Sequence, residues 1–445
     1  MSRRRRRLSR EPIEATIDSL SHEGRGVATC NGKVTFIDGA LPGERVMFQL
    51  TNRRRKLDEG KILEILESSP DRVEPGCVHY GICGGCSLQH LSPDDQIKHK
   101  EKVLLEQFEH LGNVTPDRVL PPLRSPVWGY RRKARLGVKY VPKKGGVLVG
   151  FREKGSPFIA ELTQCEIMAP SIGRRLMALR DLVGELSIRD RLPQIEVAIG
   201  DGKTGLVFRH LAPLTDEDIG RLNAFGEEYD FVIFLQPKGP ESVHQIWPDH
   251  PVDLAYQPGA DEPVLHFLPT DFTQVNAHIN RDMVARVIER LELDRGDRVL
   301  DLFCGLGNFS LPIARRVEYV LGIEGDEGLV QRARANATRN RIDNIDFICT
   351  DLTESEYLQT IEEGRFNKVL LDPARSGAQA IIEKMSFGGI HRVIYVSCNP
   401  ATLARDAGIL VHDKGFRLTQ AGVMDMFPHT AHVESIAVFE RDQKK

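Results

Sequence analysis

The sequence predicts a multidomain α/β protein with a small β-barrel first, a mixed α+β domain next and a doubly wound parallel α/β domain last. Short alternating strands with turn signals fill residues 12–68, and prolines punctuate the chain between residues 248 and 269. From residue 272 onward, helical segments alternate with apolar strands. The 445 residues correspond to about three ordinary domains. We expect the domains at 8–68, 74–265 and 266–445.

The composition excludes several classes of protein. The hydrophobic fraction of 41% and the ordinary numbers of Gly, Pro and Cys exclude collagen, a disordered tail and a disulfide-stapled miniprotein. No apolar run approaches the ~20 residues of a membrane span. The basic start, residues 1–10, has no apolar segment behind it and so is not a signal peptide. We therefore expect a cytoplasmic protein without a membrane partner, in which thiols are free or bound to metal.

The net charge of −3 hides three basic patches. Two clusters, Arg3–Arg7 and Arg53–Lys56, lie in residues 1–61, where 14 Lys and Arg stand against 8 Asp and Glu. The stretch Arg124–Arg152 holds nine basic residues and no acidic one. No amphipathic basic helix accompanies these patches, which favours nucleic acid over a membrane surface as the partner. The first run alone could equally be a solvated start of the chain.

The first domain is predicted as a barrel of about five short strands. Asn31-Gly32 is a hairpin signal, and Leu41-Pro42-Gly43 marks a further turn before the strand at residues 46–50. Five strands in fewer than 60 residues suit a barrel of the oligonucleotide-binding type. Through Glu23–Val27 and Leu41–Glu44 the segment resembles a TRAM domain, an RNA-binding barrel of RNA-modifying enzymes. A generic barrel is the alternative.

Three clustered cysteines follow the barrel and predict a metal centre. Cys77, Cys83 and Cys86 lie in a glycine-rich loop, and Cys165 is the expected fourth ligand. One pair, one outlier and one remote cysteine resemble iron–sulfur ligation more than the paired knuckles of zinc sites. Zinc and free thiols remain alternatives. A helix is predicted over residues 93–111, with a Ser92 cap and Gly112 at its end.

A nucleotide site is predicted where an apolar strand meets the loop Phe303–Ser310. Its glycines allow a ligand to approach the backbone, and Glu324 ends the next strand where a carboxylate can bind ribose hydroxyls. A dinucleotide-binding dehydrogenase and a methyltransferase that uses S-adenosylmethionine share this geometry. Cys304, Cys349 and Cys30 are assigned to packing.

Three later motifs favour the methyltransferase. Residues 371–377, 395–402 and 425–434 end strands or lie next to one, so that Cys398 and carboxylates can converge. A thiol and a base beside S-adenosylmethionine suit methylation of a pyrimidine carbon, because carbon 5 of uracil is a poor nucleophile until a thiolate adds to carbon 6. A buried inert cysteine is the alternative for Cys398.

Together these motifs closely resemble the RNA uracil-C5 methyltransferases over the whole chain. The resemblance implies that Cys398 is the nucleophile and Glu434 the base that removes the carbon-5 proton. It implies a [4Fe-4S] cluster on Cys77, Cys83, Cys86 and Cys165. The residues that it places around S-adenosylmethionine are Gln274, Phe303, Asn308, Glu324, Asp351 and Asp372.

The same resemblance suggests the substrate. Members that act on transfer RNA lack both the barrel and the cysteine cluster, whereas this chain has both, which favours 23S ribosomal RNA. In this family the helix at 93–111 can pack on the methyltransferase domain. We expect a monomer. An exocyclic-amine methyltransferase, suggested by Asn399-Pro400, and a non-enzymatic RNA-binding protein remain alternatives.

Overall fold

A computed structural model describes residues 11–352 and 358–441, so the arginine run at residues 3–7 lies outside the described part. The described chain forms two compact units. The first holds the residues up to Val103 together with Phe427–His432. The second holds Leu104–Met426 and the residues from Val433 onward.

The first unit contains a six-stranded sheet in the order β1-β5-β6-β4-β3-β2. Its strands are β1 (Ile13–Thr16), β2 (Ser19–Leu20), β3 (Gly26–Cys30), β4 (Lys33–Asp38), β5 (Arg45–Arg53) and β6 (Leu57–Glu67). Neighbouring strands are antiparallel except for β4 and β6, which run parallel. Ile17, Ile37, Val46 and Phe48 form its buried core. The sheet has six strands where about five were predicted, and β5 contains the strand predicted at residues 46–50.

Helix α1 (Pro93–Gln107) begins in the first unit after the cysteine loop. The Ser92 hydroxyl accepts a hydrogen bond from the Asp95 N–H at 3.2 Å, which is the predicted N-terminal cap. The segment 427–432 packs beside it, since the Gln96 Oε1 accepts the His429 N–H at 2.8 Å.

The second unit begins with a six-stranded sheet in the order β13-β12-β11-β10-β8-β9. A two-residue strand, β7 (Arg118–Val119), precedes it in the chain. The strands are β8 (Lys133–Val141), β9 (Gly146–Gly150), β10 (Gln194–Ile199), β11 (Thr204–Arg209), β12 (Phe231–Gln236) and β13 (His244–Trp247). The helices are α2 (Pro170–Gly173), α3 (Leu176–Glu185) and α4 (Asp216–Tyr229).

The apolar pattern predicts one helix over residues 172–186, whereas the structure has α3 in that range and a separate short helix, α2, before it. The Cys165 N–H donates to the Gly173 carbonyl at 2.9 Å, and a Cβ at position 173 would lie 2.3 Å from the Cys165 carbonyl oxygen. Gly173 therefore ends α2 so that the segment carrying Cys165 can approach its backbone.

The C-terminal sheet has the order β18-β17-β16-β19-β20-β22-β21-β7, and a separate hairpin of β14 (Leu254–Tyr256) and β15 (Leu265–Phe267) precedes it. Its strands are β16 (Arg298–Leu302), β17 (Tyr319–Glu324), β18 (Ile345–Cys349), β19 (Lys368–Leu371), β20 (Arg392–Ser397), β21 (Arg417–Met424) and β22 (Glu434–Glu440). The helices are α5 (Ala277–Leu291), α6 (Ser310–Ala314), α7 (Glu327–Arg339), α8 (Leu358–Glu363), α9 (Gln379–Lys384) and α10 (Pro400–His412). Strands β16–β20 run parallel, as predicted, and β22 is antiparallel to β20 and β21.

The helix predicted over residues 93–111 does reach Gly112, but its geometry changes near the end. After Gln107 the chain makes a π-helical turn, Phe108–Gly112, which ends on Asn113 in the left-handed conformation. Gly112 lies against α10, because a Cβ there would be 2.4 Å from the Ala404 carbonyl oxygen. The wider turn brings the Gly112 carbonyl within 3.1 Å of His412 Nε2.

None of the helices in the described ranges is both long and apolar enough to cross a membrane.

Candidate active site

The loop between β16 and α6 has the unusual backbone expected of a ligand-binding turn. Gly305 and Gly307 have φ values of 56° and 94°. Phe303 has a φ of 66°, in a region that a side chain with a Cβ rarely adopts. The Phe303 N–H donates to the Ile323 carbonyl at 2.8 Å, which holds the turn against β17. The loop is therefore held in a conformation that places its backbone beside the end of β17.

Glu324, the last residue of β17, binds this loop directly. Its Oε2 accepts the Gly305 N–H at 3.0 Å, and its Oε1 accepts the N–H groups of Gly325 and Asp326 at 2.8 and 3.2 Å. One carboxylate therefore organises two loops at adjacent strand ends. Glu324 therefore lies beside the glycine loop, and its contact with ribose hydroxyls stays a prediction.

Asn308 is held by side chains that the sequence did not single out. It exchanges two hydrogen bonds with Asn280 of α5, at 2.9 and 3.0 Å, and its Oδ1 also accepts the Tyr256 hydroxyl at 3.0 Å. Burial raises the pKa of Tyr256, so the hydroxyl keeps its proton and donates. Tyr256 and Asn280 thus fix the orientation of the Asn308 amide.

A buried carboxyl group lies beneath the loop. Asp301 is fully buried, and its Oδ2 accepts a hydrogen bond from the Ser310 hydroxyl. Its Oδ1 has no hydrogen-bond partner among the described residues. Burial raises the pKa of Asp301 to about 7, and the charges of Asp372 and Glu324 act in the same direction.

Strand register brings Cys398 next to Glu434. In the antiparallel pair β20–β22, Ser397 lies opposite Ser435, so Cys398, which directly follows β20, faces Glu434 at the start of β22. Asp372 directly follows the adjacent parallel strand β19, whose last residue, Leu371, pairs with Tyr395 of β20. The three predicted residues therefore meet at one edge of the sheet.

Burial and mutual repulsion shift the titration of all three groups. Burial raises the pKa of Glu434 well above its usual value, and Asp372 raises it further. Burial raises the pKa of Asp372 to about 7, with Glu324 contributing. Burial also raises the pKa of the Cys398 thiol, and the charges of Glu434 and Asp372 add to this effect.

Arg375 is the cation that opposes these shifts. It lowers the pKa of both Cys398 and Glu434. Its carbonyl accepts hydrogen bonds from Asn399 Nδ2 at 3.0 Å and from the Thr402 hydroxyl at 3.3 Å, both at the start of α10. The motif at 371–377 was singled out from the sequence, but no role was predicted for this arginine.

Gln274 and Asp351 lie at other strand and helix ends. Gln274 is half-buried and stands two residues before Asn276, whose side chain accepts the Ile279 N–H and caps α5. Asp351 is exposed and follows β18. The assignment of these two residues to the cofactor stays a prediction.

The three cysteines of the first unit lie in one loop and are half-buried. The Gly85 N–H donates to Cys83 Sγ at 3.4 Å, and the Cys77 N–H donates to Gln89 Oε1 at 3.1 Å. Burial raises the pKa of Cys83, and the nearby Cys77 raises it further. Within residues 11–352 and 358–441, no group of three or more His, Cys, Asp or Glu is arranged to hold a metal ion. Cys165 lies in the second unit.

Comparison with known proteins identifies the family. A model of the tRNA (uracil-5-)-methyltransferase family matches residues 261–442, and a TRAM domain model matches residues 6–63. A protein of Alkalilimnicola ehrlichii named 23S rRNA (uracil(1939)-C(5))-methyltransferase RlmD is 55% identical over 99% of each chain. A protein of the same name from Nitrosococcus oceani is 56% identical over 99% of each chain. The chain belongs to the RNA uracil-C5 methyltransferase family.

A solved structure supports the same fold. The tRNA (uracil-54, C5)-methyltransferase of Pyrococcus abyssi, crystallised with S-adenosyl-L-homocysteine, superposes with a TM-score of 0.73 at 24% identity. The superposition covers 96% of this chain and all of that one. The predicted TRAM domain and C-terminal methyltransferase fold are confirmed, and so is the prediction of an enzyme of this family. The dehydrogenase and the non-enzymatic alternatives are thereby excluded.

Proposed function

We propose that this uracil-C5 methyltransferase moves a methyl group from S-adenosylmethionine to carbon 5 of one uridine in 23S ribosomal RNA. The observation that carries the proposal is the register of β20 and β22, which, extended by one residue, sets Cys398 opposite the buried Glu434. The names of the two relatives, at 55% and 56% identity over nearly the whole chain, support the ribosomal substrate.

Cys398 begins the reaction by adding its thiolate to carbon 6 of the uracil ring. This C–S bond sends the electrons of the 5,6 double bond into an enolate, which makes carbon 5 nucleophilic. S-adenosylmethionine supplies the methyl group on a sulfonium, which leaves as a neutral thioether when carbon 5 attacks. The target base must leave its stack to reach the thiol.

Glu434 completes the reaction as the base. Its carboxylate takes the carbon-5 proton, the 5,6 double bond re-forms, and the C–S bond to Cys398 breaks to release the thiolate. The raised pKa of Glu434 suits this role, because a more basic carboxylate is a better proton acceptor once it is ionised. Arg375 favours the ionised forms of both groups.

The residues around the glycine loop are proposed to hold the cofactor. Glu324 lies where it would accept hydrogen bonds from ribose hydroxyls, and the orientation of Asn308 is fixed by Asn280 and Tyr256. Phe303 and the carboxyl group of Asp372 lie at the same ends of neighbouring parallel strands. Gln274 and Asp351 complete the proposed set.

We also propose a [4Fe-4S] cluster on Cys77, Cys83, Cys86 and Cys165. The N–H···S bond from Gly85 to Cys83 and the half-buried loop of three thiols support it, because such bonds stabilise thiolate ligands of clusters. The cluster would have a structural or RNA-contacting role, since methyl transfer needs no electron. Anaerobically purified protein should absorb visible light and contain iron and sulfide, and Cys83→Ser should lose both. A colourless protein that contains zinc would contradict the cluster.

The substrate is tested in cells that lack this protein. 5-Methyluridine should disappear from one position of 23S ribosomal RNA and persist in transfer RNA. Purified protein should restore it in vitro with S-adenosylmethionine, whereas Cys398→Ala should not. Because the matching family model carries the name of a transfer-RNA enzyme, loss from transfer RNA alone would overturn the ribosomal assignment and keep the chemistry.

Glu434→Gln separates the two halves of the reaction. This variant should still add Cys398 to carbon 6 and transfer the methyl group, but it should stall before release. A persistent protein–RNA adduct on a denaturing gel is the expected result, and full multiple turnover would contradict the proposed base. We further expect the enzyme to act as a monomer, which light scattering measures directly.

A further inference from the structure

A groove beside β8 and β9 lies outside the site described above. It encloses about 880 Å³. Side chains of Arg135, Lys139, Lys143, Lys144, Arg152 and Phe158 line it, and we call this surface the β8–β9 groove. All of them belong to the second unit.

The groove carries an unbalanced positive charge. Its lining holds five cationic side chains and one acidic residue, Glu153. Arg135 approaches Glu196 at 3.4 Å. Lys139, Lys143 and Lys144 are exposed and form no ion pair with any residue of the described part of the chain. An anionic ligand would therefore meet three lysines that need not first give up an internal partner.

One aromatic ring stands out of the groove. Phe158 is 68% exposed, although its backbone is fixed: its carbonyl accepts the Glu153 N–H at 2.9 Å, and its N–H donates to the Ser156 hydroxyl at 3.2 Å. The neighbouring Ile159 packs on Gly137, where a Cβ would lie 2.4 Å from Ile159 Cδ1. A rigid turn on an apolar floor thus holds a flat ring at the surface.

We propose that the β8–β9 groove binds a single-stranded segment of the substrate RNA at a distance from the reacting uridine, with one base stacked on Phe158 and phosphates along Lys139, Lys143 and Lys144. The inference rests on the proposed function, in which the substrate is RNA and therefore a polyanion. An exposed ring flanked by unpaired cations is the arrangement that recognises unpaired nucleotides, because every base offers a π-face and every linkage a negative charge.

Binding of a labelled 23S ribosomal RNA fragment to the full-length protein tests the groove without any need for activity. Phe158→Ala should weaken binding by roughly 5- to 100-fold, and Phe158→Trp should restore it. The double variant Lys143→Ala/Lys144→Ala should reduce the slope of log affinity against log salt by about 1.4.

Two controls isolate the groove from general surface effects. Leu211→Ala removes another exposed apolar side chain, 54% exposed, and Lys238→Ala removes an exposed lysine elsewhere in the same unit. Both should bind RNA like the unaltered protein. If Lys238→Ala lowers the RNA affinity as much as alanine at any one of the three groove lysines does, only the overall charge matters and the proposal is overturned.

The remaining outcomes separate the groove from the proposed function. If the unaltered protein methylates uracil and the Phe158 and lysine variants bind RNA normally, the groove proposal fails alone. If the unaltered protein binds the fragment through Phe158 but methylates no RNA, the proposed function fails and the groove stands. Poly-glutamate of matched charge should displace the labelled fragment less than unlabelled single-stranded RNA does. If the two competitors displace it equally, the groove recognises acidic protein and the proposal fails.

Discussion

At the scale of single residues, the described part of the site sets carboxyl groups beside the Cys398 thiol, and the Arg375 guanidinium opposes their charge. Burial raises the pKa values of Cys398, Glu434 and Asp372, and Arg375 lowers those of the first two. The proposed nucleophile and the proposed base, which must both be ionised to act, are therefore both favoured by the Arg375 guanidinium. This dependence can be measured.

Arg375→Gln should shift the pH–rate profile to higher pH. Removing the cation raises the pKa of both Cys398 and Glu434 further, and each must lose its proton to act, so the rising limb of the single-turnover rate moves upward in pH. The rate at high pH should recover. Arg417→Gln, which removes an exposed arginine paired with Asp117, is the control and should leave the profile unchanged. An unshifted profile for Arg375→Gln would contradict the electrostatic account.

The sequence indicates some of these residues and not others. Cys398 and Glu434 stand in compact motifs at strand ends, so their chemistry can be read locally. The effect of Arg375 depends on β19 lying beside β20. The side chains that hydrogen-bond to Asn308, those of Asn280 and Tyr256, come from 28 and 52 residues away in the sequence. Such roles follow from three-dimensional neighbours, which no local pattern specifies.

At the scale of elements, the glycine loop is the structure with the tightest backbone demands. Gly307 has a φ of 94°, and a Cβ there would lie 3.1 Å from Leu311 Cγ. An alanine would therefore be strained both by its backbone and by the first turn of α6.

Gly307→Ala should lower the free energy of unfolding by about 1–2 kcal/mol and weaken binding of S-adenosylmethionine. Urea denaturation and calorimetry measure the two effects. Gly296→Ala is the matched control, because its Cβ would meet nothing closer than 3.8 Å and it should cost less than about 0.5 kcal/mol. Equal stability of both variants would show that the loop tolerates a side chain.

An ion pair between Glu44, which precedes β5, and Arg72, which follows β6, lies largely buried in the first unit. Glu44 is fully buried, and its oxygens accept hydrogen bonds from Arg72 at 2.5 and 2.8 Å and from the Leu41 N–H at 2.8 Å. Burial alone would raise the pKa of Glu44, but Arg72 and the Leu41 N–H outweigh it and lower the pKa below its usual value. The stabilisation is therefore present above the pKa of the unfolded chain and is lost as pH falls through that of the folded one.

Glu44→Gln should lower the free energy of unfolding of this sheet by about 3 kcal/mol at neutral pH, because it leaves Arg72 without its carboxylate. The loss should shrink as the pH falls. Hydrogen exchange of β5 amides measures it within the whole chain. Glu67→Gln, which removes an exposed partner of Arg45, should cost less than about 1 kcal/mol. A loss that did not depend on pH would contradict the assigned role of the carboxylate.

Strand positions were more predictable than the local geometry of the helices. Alternating and continuous apolar runs marked most of the strands, whereas the helix at 93–111 ends in a π-helical turn and the helix at 172–186 is preceded by a separate short helix. In each case a glycine backbone approaches another segment, Gly112 at α10 and Gly173 at Cys165. The partner of that approach lies far away in sequence, so local propensity favours a continuous helix.

At the scale of the whole molecule, chain order and spatial order differ. The segment Phe427–His432 belongs to the unit that begins at the N-terminus, where the His429 carbonyl accepts the N–H groups of Ser87 and Leu88 at 2.9 Å. These contacts span more than 300 residues of sequence. The family and the C-terminal fold were predicted correctly from motifs. The packing of a short C-terminal segment in the N-terminal unit leaves no periodic signal in the sequence.

The central claim is that Cys398 bonds to carbon 6 of the target uracil. The most direct measurement is mass spectrometry of the protein incubated with S-adenosylmethionine and a 23S ribosomal RNA fragment that carries 5-fluorouridine, since fluorine at carbon 5 leaves Glu434 no proton to remove. The account predicts a methylated nucleotide adduct on the peptide that contains Cys398 and none in Cys398→Ala. An adduct on another cysteine would contradict the claim. So would a protein that methylates unmodified RNA but forms no adduct with the RNA that carries 5-fluorouridine.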